Sequence, residues 1–238
     1  MKKAFIFDVD GTLTPSRQTI DLEFQKFFLE FCNTHPVYLV TGSDRAKTLE
    51  QLGPDILAKV TRCYNCSGSE VWDSAGNLIY KDEWMLPEGV TRWLQGQLTS
   101  SKFGNAFRAG NHIEQRQGMV NFSVVGRNAN NEQRYFYSEF DEATGERERI
   151  AKEFNQTFPA LQATIGGVTG IDIAPRGNDK SQILRDFDKD IEIHFYGDDM
   201  GETGNDYPLA KILVDRENCY CYNIDQWSDT WELLKSYE

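Results

Sequence analysis

Ala4-Phe5-Ile6-Phe7-Asp8-Val9-Asp10-Gly11-Thr12 is the stretch that decides the fold. Four apolar residues run directly into two carboxylates one residue apart. An apolar run without polar alternation predicts a central strand buried on both faces of a parallel sheet. Ligands of such sheets bind beyond the carboxyl ends of the strands, which is where Asp8 and Asp10 fall. Side chains alternate along a strand, so Asp8 and Asp10 point the same way and Val9 the other. Two carboxylates aimed at one spot repel, which raises a pKa or recruits a cation. Gly11 allows a sharp turn and close backbone approach to a ligand. A plain strand ending in a polar turn would look the same over so short a motif, so the rest of the chain must decide.

Working outward, a polar loop carries Arg17, and a helix follows from Asp21 to about Cys32. Its Phe24, Phe27, Phe28 and Phe31 recur at helical spacing, with Asp21 as N-cap. Val37 to Thr41 reads as a second buried strand. Thr41-Gly42-Ser43-Asp44 then opens a helix through Leu52, which Gly53-Pro54 breaks. A hydroxyl-rich turn at a helix start suits phosphate, because free N–H groups and the dipole favour anions. Ser43 or Asp44 can also serve as an N-cap, and the two roles are compatible. Arg62 to Ser67 is a third strand, and Asp73-Ser74-Ala75-Gly76-Asn77 marks a hairpin.

This alternation of strand and helix predicts an α/β core. It stops near Lys81. Between Glu83 and Ala174 come a helix from Pro87, strands over Ile113–Arg116 and Met119–Val125, a charged helical region, and a hairpin around Gly166-Gly167. The expectation is an α+β domain at 83–174 inserted between core segments 1–82 and 175–238. The core pattern resumes with a helix Lys180–Phe187, a strand Ile191–Tyr196 ending in Gly197-Asp198-Asp199, and a helix from Asp206.

Composition narrows the function. The chain has 238 residues, 39% hydrophobic and 26% charged, with a net charge of −12. That charge argues against a nucleic-acid partner, and no apolar run is long enough for a membrane span. The chain starts directly at its first strand, so no signal peptide is expected and a reducing cytoplasm fits best. The five cysteines imply no disulfide framework. Cys63 with Cys66 and Cys219 with Cys221 could offer four thiolates to zinc, but their spacings are unlike the usual pairs and their contexts are apolar.

The polar strand ends assemble a phosphoryl-transfer site on paper. Asp8 is the candidate nucleophile and Asp10 the general acid and base. Lys180, with Thr41, Gly42 and Ser43, is the candidate phosphate holder. The candidate ligands of a hard cation, Mg²⁺, are Asp8, Asp10, Asp198, Asn205 and Asp206.

With Asp8-Val9-Asp10-Gly11-Thr12, Thr41-Gly42-Ser43, Lys180 and Gly197-Asp198 in this order, the chain resembles the haloacid dehalogenase superfamily. The resemblance implies a Rossmann-like α/β parallel-sheet core with an inserted α+β cap of the larger, sheet-containing type. Phe7 to Arg17, Gly42 to Gly53, Ile113 to Arg127, Gly166 to Lys180 and Phe195 to Tyr207 further resemble eukaryotic-type phosphomannomutases. That likeness implies that Arg17, Arg116, Arg127 and Arg134 hold the sugar's non-reacting phosphate and that Asp172 contacts sugar hydroxyls. It implies a hexose phosphate substrate, a hexose bisphosphate activator and a homodimer joined through the cap. The chain departs from the family pattern at Thr41, Gly170, Asn178 and Asp199, where the family usually has glycine, serine, tryptophan and lysine. Thr41 and Gly170 favour the alternative of a sugar-phosphate phosphatase. A non-catalytic phosphosugar- or protein-binding module is the reading that intact acids and Lys180 oppose.

Overall fold

A computed structural model describes residues 2–16, 18–202 and 204–237. The strands are β1 (Lys3–Phe7), β2 (Val37–Val40), β3 (Arg62–Asn65), β4 (Glu70–Asp73), β5 (Leu78–Lys81), β6 (Ile113–Arg116), β7 (Met119–Phe122), β8 (Leu161–Gly166), β9 (Gly170–Pro175), β10 (Glu192–Gly197) and β11 (Cys219–Asn223). The helices are α1 (Leu22–Thr34), α2 (Arg45–Leu57), α3 (Glu88–Ser100), α4 (Asn131–Thr144), α5 (Glu146–Thr157), α6 (Tyr207–Val214) and α7 (Trp227–Leu234). Contacts divide the chain into two compact units. One runs to Asp82 and resumes at Gly177; the other is Glu83–Arg176.

In the first unit, seven strands lie in the order β11-β10-β1-β2-β3-β4-β5. The five from β11 to β3 are parallel, and β4 and β5 add an antiparallel hairpin. Alternation along β1 sorts its side chains between two cores. Phe5 and Phe7 pack with Phe24, Phe28 and Phe31 of α1, while Ala4 and Ile6 pack with Leu209 and Leu213 of α6. Each fully buried phenylalanine contributes roughly 1.5–3 kcal/mol, which makes β1 the anchor of this Rossmann-like core. Asp21 caps α1 by accepting from the Glu23 and Phe24 amides at 2.9 and 3.0 Å.

Three local expectations need correction. The segment from Lys180 is a tight 3-10 turn, Lys180–Asp186, not an α-helix; Asp179 caps it through the Ser181 amide. Gly53-Pro54 kinks α2 without ending it: Gly53 (φ 77°) steps out of the helix and Pro54 starts the next turn, where its missing N–H costs little. The third strand ends at Asn65, and the chain turns through Cys66 and Ser67 at φ 48° and 57°.

In the second unit, four antiparallel strands lie in the order β6-β7-β9-β8. Phe122, Ile171, Ile173 and Ala163 meet Leu94 of α3, Tyr137 of α4 and Phe154 of α5 in one core. The opposite alternation places Glu114, Asn121, Asp172 and Thr164 side by side across the four strands. The strand expected over Met119–Val125 stops at Phe122. There the Ser123 hydroxyl donates to the Thr169 carbonyl and the Ser123 amide to the His112 carbonyl, which takes the chain off the ladder. The charged region forms two helices because Gly145 adopts the left-handed conformation between them.

A candidate active site at the strand ends

The neighbours of β1 are β2 and β10, so Asp8, Thr41 and Asp198 emerge side by side at the carboxyl end of the sheet. Lys180 opens its 3-10 turn beneath them and is fully buried. Its ammonium donates to Asp8 Oδ1 at 2.6 Å and to Asp206 Oδ1 at 2.7 Å. The other Asp206 oxygen accepts the Asp199 amide at 3.1 Å. Asp8, Asp198 and Asp206 each offer an oxygen within 4.8 Å of the others.

Two glycines make this crowding feasible. A Cβ on Gly11, whose φ is 77°, would lie 2.1 Å from Asp198 Oδ2. A Cβ on Gly197 would lie 2.6 Å from Asp206 Oδ2. The carboxylates occupy the volume that side chains would otherwise take.

The electrostatics follow from burial. Burial raises the Asp8 carboxyl above the usual carboxylate range; the Lys180 charge pulls it down, and Asp206 and Asp198 push it up again. Asp198 is raised for the same reasons, burial first and the Asp206 charge second. Burial pulls the Lys180 ammonium down, but Asp8 and Asp206 outweigh it and hold it above its ordinary value. Three carboxylates face one ammonium, so the cluster carries excess negative charge when ionised. Donors that are all oxygen, with that excess charge, fit a hard divalent cation.

Asp10 lies apart from this cluster. Its Oδ1 accepts from Gln51 Nε2 at 2.8 Å, and the Ser43 hydroxyl lies 3.4 Å from its Oδ2. Thr41 is buried, and its hydroxyl accepts the Ser43 amide at 3.0 Å. The Cys66–Gly68 turn braces this loop, with the Ser67 amide on the Thr41 carbonyl and the Cys66 amide on the Ser43 carbonyl. Gln182, two residues after Lys180, holds the Ser67 carbonyl at 2.9 Å. Asp8, Asp10, Thr41, Gly42, Ser43, Asp198 and Asn205 line one cavity of about 700 Å³, joined by Ser16 and Lys47.

Arg116, Arg127, Arg134 and Asp172 lie in the second unit. The guanidiniums of Arg116 and Arg127 both engage Glu114 Oε2, through Nε atoms at 2.7 and 3.1 Å. Asp172 accepts from Asn121 Nδ2 at 2.6 Å. Arg134 stands half-buried on α4. Arg17 lies outside the described residues. The cysteines are free thiols, and burial raises Cys63 to about 12 and Cys221 to about 11, which suits apolar packing. Among the described residues, no cysteine belongs to a cluster fit for a metal ion, so the zinc alternative gains no support.

Sequence reading passed over Gln51, Glu114 and Ser16. Gln51 had a weak signal, its place beside Leu52 and three residues after Thr48 on a helix; its burial is a finding of the fold. Glu114 had one too, as an acid two residues before an arginine on a strand.

Comparison with known proteins agrees with this arrangement. The family model for eukaryotic phosphomannomutase matches residues 24–237. A phosphomannomutase of Saccharomyces cerevisiae is 34% identical over 236 residues, 96% of this chain and 91% of that protein. One from Spinacia oleracea is 33% identical over 217 residues, 86% of this chain and 84% of that protein. Among solved structures, a haloacid dehalogenase-like hydrolase from Bacteroides thetaiotaomicron superposes with a TM-score of 0.63 at 14% identity, covering 98% of this chain and 100% of that one. An Aspergillus fumigatus trehalose-6-phosphate phosphatase gives 0.61 at 15%, covering 100% and 93%. The structural likenesses establish the haloacid dehalogenase fold. With the sequence matches spanning nearly the whole chain, the protein belongs to the eukaryotic phosphomannomutase family, a family of phosphohexomutase enzymes within that superfamily.

Proposed function

We propose that the chain interconverts mannose 6-phosphate and mannose 1-phosphate through a phosphorylated Asp8 and a hexose bisphosphate intermediate. The observation that carries this reading is the buried Lys180 ammonium on Asp8 Oδ1, with Asp8 itself lining the cavity that the Thr41–Ser43 loop also lines. An Asp8 oxygen attacks phosphorus, and the bond from phosphorus to the departing oxygen breaks. Asp10 gives that oxygen a proton. In the second half-reaction it takes a proton from the sugar hydroxyl that attacks the aspartyl phosphate. Gln51 and Ser43 hold Asp10 for this exchange. Lys180, oriented by Asp206, meets the charge that spreads over the equatorial phosphoryl oxygens. The Ser43 and Thr41 hydroxyls and the backbone at Gly42 complete the phosphate cradle.

Asp8 and Asp198 would hold Mg²⁺ with Asn205 close by; when bound, it neutralises charge between the carboxylate nucleophile and the phosphoryl group. Both Asp206 oxygens are already engaged, and Asp10 faces Gln51, so these two act on Lys180 and on protons. The second unit serves as a cap; Arg116, Arg127 and Arg134, together with Arg17, take the non-reacting phosphate, and Asp172 takes sugar hydroxyls. The chain works as a homodimer joined through caps, in a reducing cytoplasm compatible with free thiols. Among the described residues, no helix is long and apolar enough to cross a membrane.

Labelling tests the nucleophile. Radiolabelled hexose bisphosphate should leave label on the wild-type protein and none on Asp8→Asn. Label retained by the variant would remove Asp8 from its role.

A further inference from the structure

Glu114 sits where an anion is wanted. On β6 it faces the open side of the second unit's sheet, directly opposite Asn121 of β7. Its Oε2 accepts from the Nε atoms of both Arg116 and Arg127, and Arg116 adds Nη2 to the same oxygen. The Nε–Nη2 edge of arginine is the edge that reads carboxylates and phosphates in a fork. On Arg116 that edge is therefore filled by a carboxylate from its own strand. The three side chains are partly exposed, at 31% for Glu114, 38% for Arg116 and 26% for Arg127. Neither the carboxylate nor the arginines are sealed in, and water or another anion can take the place of the carboxylate.

The register extends the seat. Asn121 pairs with Asp172, and Asp172 with Thr164, so a polar row leads from the arginine pair across the sheet. The amide of Asn121 donates to Asp172, while its Oδ1 is buried with no hydrogen-bond partner among the described residues.

We infer that Glu114 is an internal anion that occupies the Arg116–Arg127 pair and is displaced by the substrate's non-reacting phosphate. The inference rests on the proposed role of those arginines. Two guanidiniums facing a phosphate dianion would bind it tightly; one carboxylate competing for the same N–H groups lowers that affinity. A mutase benefits from the discount, because its bisphosphate must let go of one phosphate seat to present its other end. Glu114 is thus a positioning and affinity-setting residue and touches no reacting atom.

Glu114→Gln tests this, since it keeps the shape and an acceptor oxygen but removes the charge. KM for mannose 1-phosphate should fall about two- to fivefold, as expected for loss of one partly exposed competing charge, while kcat falls or stays level as release slows. A rise in KM would overturn the inference, because it would mean Glu114 only props the arginines. In unmodified protein, the Nε–H resonances of Arg116 and Arg127 should shift when mannose 1-phosphate is added; resonances that stay put mean Glu114 is never displaced. Arg127→Ala separates the two levels. If it damages mannose 1-phosphate and p-nitrophenyl phosphate turnover equally, the arginine reading itself has failed, whatever Glu114 does.

Discussion

The two polar sites of this chain solve opposite problems. At the strand ends, Lys180 and Asp206 are fully buried and Asp8 nearly so, and the one ammonium is held by both carboxylates. On the sheet face of the second unit, Glu114, Arg116 and Arg127 are all partly open to solvent, and one oxygen serves several donors. Burying charge is expensive unless geometry and hydrogen bonds are complete, so the first site is rigid and prepared for chemistry. The second holds its ions loosely, as a surface that must exchange one anion for another can. On the proposed roles of these residues, the difference separates reaction from recognition within one chain.

The strongest way to break that contrast is to remove a buried charge. Lys180→Met should strand Asp8 and Asp206, destabilising the fold by about 3–5 kcal/mol in urea unfolding. It should also lower kcat by roughly 10²–10³-fold, the scale seen for loss of one charge-stabilising donor. A variant as stable as the parent would mean that the cluster is less desolvated than its burial indicates.

Next in size is Arg127→Ala. Loss of a charge-assisted contact to phosphate is worth about 1.5–3 kcal/mol, so KM for hexose phosphate should rise about ten- to a hundredfold. The p-nitrophenyl phosphate ratio should move much less, because that compound has no second phosphate.

Gln51→Ala sharpens the boundary between the acids. It removes one partner of Asp10 without touching Asp8 or Lys180. We expect kcat to fall about tenfold, the effect of a misaligned proton donor, with phosphoenzyme labelling retained. Labelling that disappears along with turnover would place Gln51 in the nucleophile's own network.

The smallest effect concerns pH. Asp8 and Asp198 are raised above the ordinary carboxylate range in the folded protein. The folded state therefore keeps protons that the unfolded chain has released, and the ligand-free fold loses stability as pH rises from the ordinary carboxylate range toward the raised values. A cation needs the ionised form, so its binding releases protons and tightens over the same interval. The rise in Tm on adding Mg²⁺ should be larger at pH 8 than at pH 5.5, by a few degrees. An increment independent of pH would detach the cation from these acids.

Much of the core could be read from residues alone because its cues are local. The apolar run Ala4–Phe7, the phenylalanine spacing of α1 and the glycine after Asp10 each act within a few positions. The partnerships that define the site are not local. Gln51 reaches Asp10 across 41 residues, and Lys180 reaches Asp8 across 172. No periodicity reports such pairings. Likewise Asp206 read as one more acid for a cation, and only the folded arrangement reveals that it also holds Lys180. The 3-10 turn at Lys180 escaped for a related reason: Gln182 and Arg185 hold the carbonyls of Ser67 and Gly68, which tertiary contact alone supplies.

The central claim is that Asp8 passes its phosphoryl group to a sugar hydroxyl. Phosphorus NMR of the purified protein with mannose 1-phosphate, Mg²⁺ and a trace of glucose 1,6-bisphosphate follows that transfer directly. A mannose 6-phosphate signal should grow only when the bisphosphate is present. Growth of inorganic phosphate alone would contradict it, and would mean that water, not the sugar, collects the phosphoryl group.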